Sequence, residues 1–274
     1  MTYRELCRQL SEAGIEDAPF DATVLMEHFL GIVYFTIRTE PDRDYPSDAL
    51  HTAAARRCAR EPLQYILGEW DFYRQTYEVS PDCLIPRSDT EILVEEAIRL
   101  LPQRARFADL CTGSGCIAVS TLAERPDACA VAVDKFSATL AIAERNAIRN
   151  GVRERFTPLC ADVLAEDFRP ADEPLDAILC NPPYIVTGVL DTLSPEVKAE
   201  PLAALDGGED GLLFYRHLLR TQAKHLTPDG FFLFEIGYDQ ADALVALGRE
   251  NGFATARVLR DLGGNDRVVY LARI

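Results

Sequence analysis

Beyond Pro102 short apolar runs alternate with helical stretches, and few folds accept that order. The runs at Arg106–Leu110, Ala128–Val133, Phe156–Cys160, Leu175–Cys180, Phe231–Ile236, Thr255–Leu259 and Arg267–Ala272 read as strands. Helical spacing fits Cys116–Glu124, Ser137–Asn150, Gly211–His225 and Gln240–Asn251 between them. Such alternation predicts a mostly parallel sheet with helices on both faces. The last two strands leave no room for a crossover helix, so they should pair antiparallel through Asp261-Leu262-Gly263-Gly264-Asn265. The expected class is α/β: a Rossmann-like, mostly parallel seven-stranded sheet closed by an antiparallel C-terminal hairpin.

The N-terminal part is different. Residues 1–68 show helical spacing at Tyr3–Ala13, Asp21–Leu30 and Ala49–Ala59, separated by turn signals. A small helical bundle of three or four helices is predicted there. From Glu69 to Ile85 aromatic and β-branched residues take over, with a turn at Ser80-Pro81-Asp82, so residues 69–86 read as a β-hairpin linker. Helical spacing resumes at Asp89–Leu100, and residues 87–274 form the larger domain.

Charge and cysteine usage narrow the function. The chain carries 28 basic and 44 acidic residues, a net charge of −16, which repels a polyanion and disfavours direct nucleic-acid binding. Residues 1–68 hold 7 basic against 11 acidic residues, so they form no nucleic-acid arm either. No run reaches the ~18 apolar residues of a membrane span. The opening Met1-Thr2-Tyr3-Arg4-Glu5 lacks the apolar core of a secretory signal, and a cytoplasmic protein is expected. The eight cysteines show no Cys-x-x-Cys and the four histidines are dispersed, so free thiols and no metal are expected. His217 and His225 should share a face of one helix.

Two motifs carry chemistry. The first strand runs into Asp109-Leu110-Cys111-Thr112-Gly113-Ser114-Gly115 and then a helix, a turn whose glycines let backbone approach a ligand. Asp134 ends the next strand, 19 residues after Gly115, where a carboxylate can accept from ribose hydroxyls. Alone this is a nucleoside-cofactor site of unspecified kind. Gly113-x-Gly115-x-x-Ala118 also fits a dinucleotide fingerprint, but Asp109 would repel a pyrophosphate and welcome the ammonium of S-adenosylmethionine. Asp162, after the third strand, has the place of an adenine acceptor, with Val163 as an apolar wall or backbone contact.

The second motif is Asn181-Pro182-Pro183-Tyr184, directly after the fourth strand. Its position at the carboxyl end of a parallel strand is where open α/β sheets bind ligands. An amide or aniline-like NH₂ is a poor nucleophile because its lone pair is delocalised. The Asn181 side-chain oxygen and the Pro182 carbonyl can accept its two hydrogens and aim the lone pair at a sulfonium methyl. Pro183 stiffens the turn, and Tyr184 offers a π face to a planar group.

With both motifs in view, the chain closely resembles the HemK/PrmC family, the N(5)-glutamine methyltransferases of peptide chain release factors. The resemblance runs through Pro62-Leu63-Gln64-Tyr65-Ile66-Leu67-Gly68-Glu69-Trp70, Leu84-Ile85-Pro86-Arg87, both motifs, Ala204-Leu205-Asp206-Gly207-Gly208-Glu209-Asp210-Gly211 and Asp266-Arg267-Val268-Val269. It implies a helical domain that docks the release factor, a hairpin linker and a catalytic domain. It also implies S-adenosylmethionine as cofactor, S-adenosylhomocysteine as product, and methylation of the side-chain amide nitrogen in the factor's Gly-Gly-Gln loop. The cofactor would lie on Cys111 to Gly115, with Asp134 on the ribose and Asn181 beside the reacting centre; Asn181 to Tyr184 would receive the glutamine.

Two departures stand out. The family usually has glycine at the place of Cys111, so a Cβ there requires a negative φ. Where it tends to have Pro-Glu-Thr, this chain has Ser88-Asp89-Thr90. The stretch from Ile185 to Asp210 is expected to form a lid or wall over the glutamine pocket. A ribosomal-protein glutamine is the alternative substrate. An adenine methyltransferase conflicts with the charge, a nicotinamide dehydrogenase leaves Asn181 to Tyr184 unexplained, and a binding module without activity would need a vestigial cofactor pocket. A monomer is expected.

Overall fold

A computed structural model describes residues 1–273. The chain divides into two compact units, Met1–Glu69 with Leu193–Ala199, and Trp70–Thr192 with the remainder from Glu200.

The first unit is helical: α1 (Tyr3–Glu12), α2 (Ala18–Leu30), α3 (Tyr34–Thr39), α4 (Asp48–Cys58) and α5 (Leu63–Leu67). Local chemistry sets the ends. Thr2 and Glu5 form a reciprocal capping box, Asp17 and Ser47 cap α2 and α4, and Gly31 and Gly68 close α2 and α5 in the left-handed conformation. Leu6, Leu10, Leu25, Met26, Ile37 and Leu50 fill its core. A partly buried ion-pair network crosses it. Arg57 donates to Asp21 at 2.6 Å and to Glu196 at 2.9 Å, and Arg60 donates to both Glu196 oxygens at 2.6 and 2.8 Å. Two arginines hold Glu196 down to about 2, Arg60 contributing most. Asp21 nevertheless sits above its ordinary value, because burial outweighs the attraction of Arg57. Arg57→Ala would strand a buried carboxylate and should cost this unit about 3 kcal/mol. Thermal melts checking it should show an earlier transition; an unchanged melt would contradict the network's role.

The hairpin of β1 (Glu69–Phe72) and β2 (Gln75–Glu78) follows, all but its first residue in the second unit. Its turn is Tyr73-Arg74, with Tyr73 at φ +57, and not the expected Ser80-Pro81-Asp82, which forms a separate turn beyond the strands. Then follow α6 (Glu91–Leu100), β3 (Arg106–Leu110), α7 (Cys116–Glu124), β4 (Cys129–Asp134), α8 (Ser137–Arg149), β5 (Phe156–Cys160) and β6 (Leu175–Cys180). The one-turn α9 (Pro195–Lys198) belongs to the first unit; α10 (Leu213–Gln222), β7 (Leu226–Glu235), α11 (Ala241–Glu250), β8 (Thr255–Arg260) and β9 (Asp266–Ala272) complete the second. Helix α10 stops at Gln222, so His225 falls in a 3-10 turn and does not share a helix face with His217.

The seven strands lie in the order β5-β4-β3-β6-β7-β9-β8, parallel except for β9, which runs antiparallel to both β7 and β8. This is the class I methyltransferase sheet. Strand periodicity sorts side chains between two apolar layers. Phe107, Ala177, Leu179, Phe231 and Leu233 enter the layer under α6 and α7, and Ala108, Leu110, Ile178, Phe232 and Phe234 enter the layer under α10 and α11. The strand order reverses between β3 and β6, so the loops after these two strands flank the crevice where such sheets take ligands.

No helix among the described residues is long and apolar enough to cross a membrane.

Candidate active site

By the alternation that sends Phe107 towards α7, Asp109 points the same way, and it is fully buried. Its Oδ2 accepts from the Thr112 hydroxyl at 2.6 Å and the Ala118 amide at 3.1 Å, while Oδ1 has no partner. Burial pushes its carboxyl up to about 7. Asp109 therefore ties the loop to the first turn of α7 from behind and is not on the cavity wall. Thr112 and Ser114 are buried in the loop, and Gly115 backs onto Ala143 of α8, where an added Cβ would lie 3.1 Å away.

Cys111 reverses an expectation. Its φ is +59, in the left-handed region together with Gly113 at +57 and Gly115 at +82. The loop must turn back so that Thr112 can donate to Val133 at 2.9 Å, and the chain accepts a Cβ where it would be strained by about 1 kcal/mol.

Cys111 and Gly113 line a cavity of about 620 Å³ at the carboxyl edge of the sheet. Asp134 closes β4 at its rim, and its two oxygens accept from the Phe136 and Gly113 amides at 3.1 Å each. Each oxygen keeps a lone pair for a further donor. Asp162 also lines the cavity, held at 2.9 Å by Lys135, which lowers its carboxyl, and Val163 forms an apolar part of the wall. Phe136, half exposed, adds an aromatic surface that the sequence signalled only as a ring placed just after the ribose acid.

Across the crevice, Asn181 and Pro183 line the same cavity, with Pro182 between them in the turn and Tyr184 just beyond. The Asn181 amide nitrogen donates to the Thr90 hydroxyl at 3.4 Å, which leaves Oδ1 as its free acceptor. The Tyr184 hydroxyl reaches Glu235 Oε1 at 3.4 Å, so this ring is anchored inward. Burial, foremost, and the Glu235 charge raise the Tyr184 hydroxyl well above its ordinary range.

The excursion after Tyr184 folds back as a wall. Ile185 donates to Leu205 at 2.9 Å, Gly207 donates to Ile185 at 2.8 Å, and Asp206 accepts from the Thr187 hydroxyl at 2.6 Å. Glu200, buried, accepts from the Ile85 amide at 3.0 Å and from Arg87, which pins the start of the wall. Pro201 to Ala204 and Asp206 then face the cavity. The glycines of this segment are there for close approach. A Cβ on Gly207 would sit 2.6 Å from the Tyr184 Cα, and one on Gly211 would strike the Tyr184 carbonyl. Gln240, buried, clamps the arrangement by donating to the Tyr184 carbonyl at 3.0 Å and accepting from Gly237 at 2.9 Å. Glu235 and Gln240 were not picked out from sequence, and Thr90 figured there only in the Ser88-Asp89-Thr90 departure, with no part in the site. Of the first two only Glu235 left a trace there, as an acid closing the run Phe231–Phe234.

Two buried acids set a pH dependence of stability. Asp109 and Glu235 are both pushed by burial up to about 7, from ordinary values of 3.8 and 4.5. Between about pH 4 and pH 7 the folded state thus binds more protons than the unfolded one, and stability falls as pH rises. His225, which burial holds below its usual value, opposes this modestly. The protein should melt a few degrees higher at about pH 5.5 than at about pH 7.5, and Asp109→Asn with Glu235→Gln should flatten the difference. A melting temperature that climbs between those values would contradict it.

Comparison with known proteins places the chain in a family. The family model described as PrmC N-terminal domain matches residues 2–68, and the methyltransferase small domain matches residues 88–197. The release factor glutamine methyltransferase of Geobacter sulfurreducens is 40% identical over 95% of this chain and 91% of its own. The chain belongs to the release factor glutamine methyltransferase family. The member from Caulobacter vibrioides is 38% identical over the same shares of the two chains. A solved hMettl16 catalytic domain, 12% identical with a TM-score of 0.58 over 83% of this chain and 82% of its own, shares the fold alone. As a release factor glutamine methyltransferase family member the protein is an enzyme, and its class implies S-adenosylmethionine. The cavity fits that group: an acid with spare acceptor capacity, an aromatic surface, a glycine-lined loop and a volume within the range of small-ligand sites.

Proposed function

We propose that this enzyme transfers a methyl group from S-adenosylmethionine to the side-chain amide nitrogen of the glutamine in the Gly-Gly-Gln loop of peptide chain release factors, and so tunes translation termination. The observation that carries this is Asn181 at the cavity wall with its amide nitrogen engaged and its oxygen free. When bound, S-adenosylmethionine supplies an electrophilic sulfonium methyl and is left as S-adenosylhomocysteine. Asp134 would hold the ribose, Asp162, Val163 and Phe136 the adenine end, and the backbone from Cys111 to Gly115 the methionine end. Asp109, Thr112, Ser114 and Gly115 serve that loop by shaping it.

The protein's part in the chemistry is orientation. Asn181 Oδ1 and the Pro182 carbonyl accept the two hydrogens of the glutamine amide and leave its lone pair directed across the cavity. Pro183 fixes the turn, and Tyr184, anchored on Glu235, holds the segment in place. The wall from Pro201 to Asp206 excludes water beside the reacting nitrogen. Residues 1–68 would dock the factor, 69–86 link, and 87–274 catalyse. The protein would work in the cytoplasm as a monomer, without contacting nucleic acid or membrane.

Labelled methyl from S-adenosylmethionine should appear on an intact bacterial release factor and not on one with its loop glutamine replaced by alanine. Label on a ribosomal protein and none on the factor would move the substrate to the alternative.

A further inference from the structure

Gln240 stands at the N-cap of α11, yet its side chain caps nothing there. It is buried, at 8% exposure, and its amide is committed to three other stretches of chain. Oε1 accepts from the Gly237 amide at 2.9 Å, inside a turn that Gln240 closes by donating its own backbone amide to the Gly237 carbonyl at 3.1 Å. Nε2 donates to the Tyr184 carbonyl at 3.0 Å and to the Gly211 carbonyl at 3.3 Å. Tyr184 ends the reactive turn, and Gly211 follows the excursion that forms the wall. Among the described residues no backbone amide donates to the Tyr184 carbonyl, so Gln240 is what holds it. The fit leaves no slack. A Cβ on Gly211, whose φ is +72, would lie 2.5 Å from Gln240 Nε2 and nearer still to the Tyr184 oxygen.

We infer that Gln240 is a positioning residue for methyl transfer: it holds the far end of the turn at residues 181–184 and so sets the aim of that turn's two acceptors. The backbone fixes the polarity of its amide. A peptide N–H only donates and a carbonyl only accepts, so Gly237 meets Oε1 and the two carbonyls meet Nε2. Between the held Tyr184 carbonyl and strand β6 lie Pro182 and Pro183, whose rings fix φ. With so few soft dihedrals, a displacement at Tyr184 passes to the Pro182 carbonyl and to Asn181. The bond to Gly211 ties the same amide to the end of the wall, so that turn and wall keep one register. The inference rests on the reading that Asn181 and the Pro182 carbonyl receive the glutamine amide.

The test compares Gln240→Met, which keeps length and removes donor and acceptor, with Gln240→Glu, whose donor comes and goes with pH. For each, kcat and KM for methyl transfer to a release factor are measured well below its melting temperature, beside S-adenosylmethionine affinity by calorimetry. The methionine variant should lose about tenfold or more in kcat, with cofactor affinity within about threefold of the unaltered enzyme. Burial raises a carboxyl, so the glutamate variant should be protonated at about pH 6 and ionised at about pH 8.5. Protonated, it can donate to Tyr184 and accept from Gly237; ionised, it sets an acceptor against two carbonyl oxygens. Its kcat relative to the unaltered enzyme should therefore be about tenfold higher at about pH 6 than at about pH 8.5. Tyr184, Glu235, Arg267, Asp210 and Asp239, the ionisable groups around this turn, are common to both enzymes and enter that ratio equally. If methionine does not fold at residue 240, the pH dependence of the glutamate variant decides alone. Full kcat in the methionine variant, a pH-independent ratio for the glutamate variant, or cofactor affinity collapsing with the rate would overturn the inference while leaving the function standing. An unaltered enzyme that does not label the factor at all would bring down the function and this inference together.

Discussion

Asn181→Ala should lower methyl transfer to a release factor by about a hundredfold or more, while S-adenosylmethionine affinity changes by at most a few-fold. The expectation follows from what the residue does and what it does not support. Its side chain is half buried, and among the described residues its one hydrogen bond is to Thr90, so the fold gives up little when it is removed. The reaction gives up its only side-chain acceptor at the carboxyl end of β6. The glutamine amide then keeps one acceptor, the Pro182 carbonyl, and rotates about it. Steady-state kinetics with calorimetry on the same preparation check this. A collapse of cofactor affinity in parallel with the rate would show that Asn181 builds the cofactor site and does not align the amide.

Gly207→Ala should be at least as damaging by a different route. The added Cβ would lie 2.6 Å from the Tyr184 Cα and 2.9 Å from the Pro183 carbonyl oxygen, both backbone atoms of the reactive turn. Neither side of this contact is a flexible side chain. The wall must lift or the turn must shift, at a cost of about 3 kcal/mol, and either displaces Asn181 from its partners. Gly188→Ala is the matched control, since nothing lies within 4 Å of its added Cβ. Activity and melting temperature should both fall for residue 207 and hold for residue 188. Equal behaviour of the two variants would mean that the wall is not pressed on the reactive turn as described.

Much of this was legible in the sequence because the central strands are buried on both faces. Continuous apolar runs such as Leu175–Cys180, bounded by polar turns, leave little freedom in where a strand begins and ends. The loops at the switch point carried their motifs intact, so Asp134 and Asn181 were found on the cavity wall, while Asp109 lies behind it. The loop conformation was less legible. The positive φ of Cys111 is imposed by Thr112 reaching across to β4, a contact that no local spacing reports. The place of Thr90 and Glu235 beside Asn181 was not legible because they lie 91 and 54 residues from it in the chain, and only the order β6-β7 and the start of α6 bring the three together. The segment from Leu193 to Ala199 had no periodicity to read. Its placement with the helical unit rests on Glu196 meeting Arg57 and Arg60, pairs more than a hundred residues apart in sequence.

The central claim is that the free acceptor of Asn181 aligns a glutamine side-chain amide for methylation. Fragmentation mass spectrometry of a release factor, before and after incubation with this enzyme and S-adenosylmethionine, tests it most directly. The account predicts a single added methyl on the side-chain nitrogen of the loop glutamine, appearing about a hundredfold or more slowly when the enzyme carries Asn181→Ala. A methyl found on another residue, or on the glutamine at an undiminished rate with the altered enzyme, would contradict it.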